Sequence, residues 1–244
     1  MSAAFRELGY QPTPLGDLSL RRRRIPSLDT DVLEVKLGDD FLMSSMFTES
    51  ERQLGRLGLS SLGASRRAAG RFDIVVGGLG LGYTAAEVLK HSAVGSLTVV
   101  ELFDAVIQWH TEGLIPTTPS LTGDARCRLL HGDFFELALS EAGLDPDSPR
   151  RQYDAILIDI DHTPELVLDP RNARFYTREG LTAVAAHLRP DGVFGLWSDH
   201  PPDYEIEELL ADVFGSATGH PVALENPFGN DTYVQSVYIA ETAL

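Results

Sequence analysis

Asp73-Ile-Val-Val-Gly77-Gly78-Leu-Gly80-Leu-Gly82-Tyr-Thr-Ala-Ala-Glu-Val-Leu89 decides the fold of this chain. Ile74 to Val76, apolar and bounded by glycine, reads as an inner parallel strand, and Ala85, Ala86, Val88 and Leu89 continue at helical spacing. Glycines between a strand and a helix let the backbone bend sharply, admit a ligand against its amides, and leave a helix N-terminus pointing at it. Glu101 closes the next apolar run, Leu97-Thr-Val-Val-Glu101. At about 20 residues beyond such a loop, a carboxylate stands at the tip of the neighbouring strand and can accept both hydroxyl protons of a ribose. The other reading of Glu101 is a solvated strand end.

Outward from this loop, strands and helices alternate as a doubly wound sheet requires. The pattern predicts strands over 74–76, 97–100, 127–131, 155–159, 193–198 and 233–240, and helices over 84–91, 105–113, 134–142, 178–188 and 205–214. Residues 215–229 read as a loop. The alternation in Tyr233-Val-Gln-Ser-Val-Tyr-Ile-Ala240 fits an antiparallel strand near a sheet edge. Residues 1–66 form a separate element: a small β-hairpin with turns at Pro26 and Gly38-Asp39, then a helix over 44–62 with Thr48-Glu-Ser-Glu51 as its N-terminal cap. Residues 67–244 form the main domain.

Composition bounds the function. The chain has 244 residues, enough for one full α/β core, and 43% hydrophobic content rules out a disordered chain. No apolar run is long enough to span a bilayer and Met1 to Glu7 has no signal-peptide core, so a soluble cytoplasmic protein without a membrane partner is expected. With 36 acidic against 20 basic residues the formal charge is −16, which disfavours nucleic acid and favours a cationic or neutral small molecule. Arg21-Arg22-Arg23-Arg24 reads as a solvated turn before Ile25-Pro26. Cys127 is the lone cysteine and reads as strand packing. No histidine and acid spacing resembles a metal cage, and there is no G-x-S-x-G elbow.

The succession VVGGLGLGYTAAEVLKH, VVELFDAVIQWH, HGDFFELAL, YDAILIDIDHTPE and FYTREGLTAVAAHLRPDGVFGLWS resembles the class I S-adenosylmethionine-dependent transferases, and among them the spermidine synthase family, over roughly residues 70 to 240. The resemblance implies a Rossmann-like seven-stranded sheet, mostly parallel with an antiparallel last strand, and a homo-oligomer. It implies that Gly78, Gly80 and Gly82 pass beneath the methionine portion of S-adenosylmethionine or its decarboxylated form, that Glu101 binds the ribose, and that Asp133 and Phe134 receive the adenine. The chemistry agrees, because an exocyclic amine needs an acceptor and a purine needs apolar faces. Asp133 could instead simply cap the helix that follows.

By the same resemblance, Asp159 and Asp161 are the catalytic acids, with His162 as an auxiliary base. A carboxylate can steer a cationic amine and take its proton as nitrogen attacks the sulfonium-bound carbon. The other reading of Asp161 is a turn residue before Pro164, and that of His162 an ordinary loop histidine. Trp197-Ser-Asp199-His200 ends a strand at the same edge and reads as a wall of the site.

Departures from the family pattern bear on the reaction. Aminopropyltransferases carry an acid inside the glycine loop where this chain has Leu79 and Leu81, and a tyrosine, histidine and acid where it has Phe41-Leu-Met-Ser-Ser45. Methyl transfer from S-adenosylmethionine to a small amine is therefore the leading expectation, with aminopropyl transfer as the alternative. Gly80-Leu-Gly82-Tyr-Thr-Ala85 also matches G-x-G-x-x-A, which keeps an NAD-dependent oxidoreductase open, and a non-catalytic binding protein is a further reading.

Overall fold

In a computed structural model, residues 5–63, 68, 70–229 and 231–242 are described. The predicted boundary between residues 66 and 67, and the N-terminal residues 1–4, lie outside them. The chain opens with β1 (Phe5–Thr13), β2 (Gly16–Ile25), β3 (Thr30–Leu37) and β4 (Asp40–Ser44). They pair in sequence order as a four-stranded antiparallel sheet, larger than the expected hairpin. The arginine run is not a turn but the second half of β2. Strand alternation turns Arg21 and Arg23 onto the buried Glu34 of β3, at 2.7 and 2.5 Å, while Arg24 pairs with Asp29 and Asp31. Burial alone would raise the pKa of Glu34; the two guanidiniums outweigh it and hold the carboxyl below its ordinary value.

Helix α1 (Glu49–Ser60) follows, and Thr48 at its N-cap makes no side-chain capping bond. Its inner face carries Gly58, where a Cβ would stand 2.6 Å from Leu157, so the helix lies close on the main sheet. That sheet contains β5 (Phe72–Gly77), β6 (Val94–Glu101), β7 (Cys127–His131), β8 (Tyr153–Ile158), β9 (Leu188–Ser198), β10 (Gly215–Glu225) and β11 (Thr232–Thr242). Among the described residues its order is β10-β11-β9-β8-β5-β6-β7, with β11 antiparallel to both neighbours. Helices α2 (Tyr83–Leu89), α3 (Asp104–Thr111), α4 (Phe134–Ala138), α5 (Arg178–Ala185) and α6 (Tyr204–Phe214) cover its faces.

Residues 215–229 are thus not all loop. Gly215–Glu225 is the edge strand, paired with β11 from Gly215↔Thr242 to Glu225↔Thr232, and β11 lies one place inside the edge. His220-Pro221 is tolerated there because an edge strand does not need every N–H for the ladder.

Successive residues of the inner strands serve opposite faces. Ile74, Val76 and Leu157 join Leu54 of α1, Ala85 of α2 and Leu18, Leu20 and Val35 of the N-terminal sheet. Val75, Ile156 and Ile158 join Phe134, Phe135, Leu181 and Phe214 on the other face. Both faces are covered, which is why these strands read as unbroken apolar runs. The parallel strands therefore deliver their carboxyl ends, and the loops that follow them, to one edge. No helix among the described residues is long and apolar enough to cross a membrane.

Candidate active site

At the carboxyl end of β5 the chain turns so tightly that its loop touches the end of β8. The N–H of Gly78 reaches the carbonyl of Val100 at 2.9 Å, and that of Asp159 reaches the carbonyl of Gly77 at 2.8 Å. Gly78 has φ +91°, and a Cβ there would run into the Asp159 carbonyl, so a side chain is excluded on two counts. Leu79 and Leu81 are buried, leaving backbone rather than side chains along the loop. Met43 of β4 rests its thioether on Gly80, and its Sδ accepts the N–H of Leu81 at 2.8 Å. The N-terminal sheet thus roofs the loop. Gly82, at φ +82°, is the N-cap of α2.

Glu101 ends β6 buried against this loop. Its Oε2 accepts the N–H of Leu79 at 2.9 Å and its Oε1 that of Phe103 at 2.8 Å. Burial raises its pKa, with backbone N–H groups offsetting part of the effect. It is no solvated strand end, and an ionised carboxylate still has acceptor capacity for hydroxyls. Asp133 caps α4 through Oδ1, which accepts from Phe135 and Glu136 at 3.0 and 3.2 Å; its other oxygen takes no part in the cap. The ring of Phe134 lies against Gly77 and edge-on to Phe135 and Phe175. Gly78, Gly80, Glu101, Asp133, Phe134 and Asp159 line one cleft of about 830 Å³, its open mouth included. The polar set and the apolar wall fit an adenosyl group.

Asp159 follows β8 directly. The hydroxyl of Thr84, in the first turn of α2, donates to its Oδ2 at 2.6 Å. Burial raises the Asp159 pKa to about 6, and the Thr84 bond restrains the rise. The same hydroxyl lies 3.1 Å from the carbonyl of Glu51, in the first turn of α1. Burial and the like charge of Asp159 raise the pKa of the Glu51 carboxyl to about 8, although Glu51 is not on the cleft wall. The sequence pattern had assigned Glu51 to a helix cap; the fold makes it part of an acid pair. Its other close neighbour is the hydroxyl of Ser50, whose oxygen lies 2.9 Å from Oε2 of Glu51 and 2.6 Å from Oε1 of Gln235.

Asp161 is placed elsewhere. It is buried, accepting the N–H of Leu168 at 2.7 Å, the Asn172 amide at 3.2 Å and the Tyr176 hydroxyl at 3.0 Å, and it pins residues 168–176. Leu168 and Asn172 line the cleft, whereas Asp161 and His162 do not. His162 uses its carbonyl to receive the N–H of Asp199 at 2.7 Å. Trp197 is also not on the cleft wall. The pairing of Leu157 with Gly195, carried two residues further, sets Trp197 beside Asp159, and its buried Nε1 has no hydrogen-bond partner among the described residues.

The profile of the spermine/spermidine synthase domain matches residues 60–211, more than half of the chain. The chain belongs to this family. A polyamine aminopropyltransferase of Bacillus mycoides (strain KBAB4) is 32% identical over 142 residues, covering 58% of this chain and 45% of that one. Polyamine aminopropyltransferase 2 of Pseudomonas aeruginosa is 29% identical over 152 residues, covering 58% of this chain and 39% of that one. The chain spans less than half the length of these relatives. Among solved structures, a spermidine synthase in complex with the transition-state analogue AdoDATO superposes with a TM-score of 0.72 at 18% identity, over 98% of this chain and 74% of that one. Human methyltransferase-like protein 13 in complex with SAH gives 0.58 at 20% identity, over 80% of this chain and 82% of that one. These two likenesses concern the fold, which both kinds of transferase share.

Proposed function

We propose that this protein transfers the aminopropyl group of decarboxylated S-adenosylmethionine to a small amine. The observation that carries the reading is Asp159: a half-buried carboxylate at the end of β8, on the cleft wall and in backbone contact with the glycine loop. Among the described residues no basic group is bonded to it. Arg171, which also lines the cleft, is held by Asp169 at 2.7 Å and stands near Asp133, toward the adenine end. An acidic end of the cleft attracts amines and opposes a carboxylate. With relatives that are aminopropyltransferases, this weighs against the methyl transfer that Leu79 and Leu81 favoured, and more strongly against NAD.

The bound sulfonium donor would supply an electrophilic carbon whose bond to sulfur breaks, its electron pair going to sulfur, as nitrogen bonds to it. Glu101 would hold the ribose hydroxyls, Asp133 the adenine amino group, and the loop from Gly78 to Gly82 the underside of the tail. Asp159 would orient the attacking amine and accept the proton that nitrogen loses. With its pKa raised to about 6, it is a stronger base than an ordinary aspartate while ionised at neutral pH. Alignment by the cleft does much of the rest. Asp161 acts at one remove, holding residues 168–176 as the cleft wall, and His162 has no part in the reaction.

Calorimetric titration with S-adenosylmethionine and its decarboxylated form tests the donor. Tighter binding of the decarboxylated form is expected; preference for the carboxylated one returns methyl transfer to the lead.

A further inference from the structure

The N-terminal sheet has two unlike faces. Leu18 pairs with Leu37 and Leu20 with Val35, whereas Arg21 pairs with Glu34, so alternation sends the aliphatic side chains of β2 and β3 to one side and the charged ones to the other. β4 follows the same rule: Met43 pairs with Val35, while Phe41 pairs with Lys36 and lies under the cations of Arg21 and Lys36. Leu42, between them, is skipped in the register, and a residue bulged in this way is re-aimed. It goes to the cleft. Leu15, Val35, Leu37, Leu42 and Met43 are what this sheet and its first turn bring to the cleft wall, and none carries a charge.

This roof is fixed to the glycine loop. The peptide unit joining Gly80 to Leu81 is held at both ends: its N–H donates to Sδ of Met43 at 2.8 Å, and its carbonyl lies 2.8 Å from Nε2 of His110. The one acceptor atom among the roof's side chains is thereby used. The charged side chains lining the cleft, among the described residues, are Glu101, Asp133, Asp159, Asp169 and Arg171. Glu101 and Asp133 serve the nucleoside in the reading above, and Asp169 is taken by Arg171 at 2.7 Å. Asp159 alone is left for an acceptor. It stands over Gly78 as Met43 stands over Gly80, so an amine held at Asp159 has Ile160, Leu42 and Met43 beside the rest of its chain.

We infer that the acceptor is a primary monoamine with an apolar body, such as an alkylamine, in preference to a diamine. Asp159 takes its one ammonium, and the roof takes its hydrocarbon. This rests on the aminopropyl reading and narrows its acceptor. One proton of the ammonium goes to Asp159, the freed nitrogen pair bonds to the donor carbon, and the carbon–sulfur pair leaves on 5′-methylthioadenosine. A second ammonium at the far end of a diamine would lie against leucine and methionine without a partner, which is costly. Each methylene of an alkyl chain gains instead by leaving water.

The test measures kcat/KM for matched acceptors, butylamine against diaminobutane and hexylamine against diaminohexane, under saturating decarboxylated S-adenosylmethionine. Release of methylthioadenosine is the common readout. The monoamine should be favoured in each pair by roughly tenfold or more, since the diamine leaves a charge buried unpaired. From propylamine to hexylamine, kcat/KM should rise roughly two- to fourfold per methylene. A preference for the diamines, equal rates within the pairs, or no rise with chain length overturns the inference and leaves the aminopropyl reading standing. No methylthioadenosine from any amine overturns both.

Leu42 is half-buried, and Leu42→Glu sets a carboxylate in the roof. The ratio of monoamine to diamine should then move toward the diamine by roughly tenfold, as expected for a bond to a charged group. An unmoved ratio in the folded variant contradicts the inference, because the roof would not meet the acceptor's far end. Should the variant not fold, the comparison in wild type decides.

Discussion

The hydroxyl of Thr84 donates to Oδ2 of Asp159 at 2.6 Å, tying the start of the helix after the glycine loop to the acid at the end of β8. This bond favours the charged form of Asp159 against the burial that disfavours it. In Thr84→Val the restraint is gone and the pKa of Asp159 moves further up. Turnover at neutral pH should fall about tenfold, and the acid limb of the rate profile should move to higher pH. An unshifted acid limb in a folded variant would show that Thr84 serves packing alone.

Asp159→Asn keeps the shape and the Thr84 contact but cannot accept a proton. Donor affinity should stay within a few-fold, while kcat under saturating donor falls by about 10² or more. Near-normal kcat would move the proton to another acceptor.

Asp161 should act through stability. Its carboxylate gathers three donors in a buried setting, so Asp161→Ala leaves the Asn172 amide and the Tyr176 hydroxyl without their acceptor. Each orphaned group costs about 1–3 kcal/mol. Urea denaturation should show a loss of at least about 2 kcal/mol, and Tyr176→Phe a smaller one. If Asp161→Ala keeps full stability and loses turnover alone, the acid belongs to the chemistry after all.

The acid pair also predicts how stability depends on pH. Glu51 rises from 4.5 to about 8 and Asp159 from 3.8 to about 6, so both hold protons in the fold that the unfolded chain has released. Their contribution is fully present below about pH 4 and is lost as pH rises through these folded values. His110, whose pKa burial lowers, works in the opposite sense around its ordinary value of 6.5. The informative quantity is therefore the difference between wild type and Glu51→Gln. Wild type should lose melting temperature relative to the variant between about pH 5 and pH 8; parallel curves would contradict the pairing.

What was legible in the sequence was what is local. The strand, glycine loop and helix from Phe72 to Leu89 announce themselves because periodicity changes across glycines, and Glu101 and Asp133 come just after the apolar pairs Val99-Val100 and Leu129-Leu130. β10 was missed because Gly219, His220 and Pro221 break the pattern at an edge that does not need it. The N-terminal sheet was undercounted because β1 is largely exposed and shows no alternation. The arginine run looked like a solvated turn because its partner, Glu34, becomes visible only when β2 and β3 pair. Glu51 illustrates the deeper limit. Its local setting, three residues after Thr48, is that of a capping box, and only the fold carries it to Asp159.

The most direct measurement is product analysis. The protein is incubated with decarboxylated S-adenosylmethionine and a series of small monoamines and diamines, and in parallel with S-adenosylmethionine and the same amines, and both mixtures are resolved by mass spectrometry. Aminopropyl transfer predicts 5′-methylthioadenosine and an amine lengthened by one aminopropyl unit in the first mixture, abolished in Asp159→Asn. S-adenosylhomocysteine and a methylated amine in the second mixture, with no methylthioadenosine in the first, would contradict it.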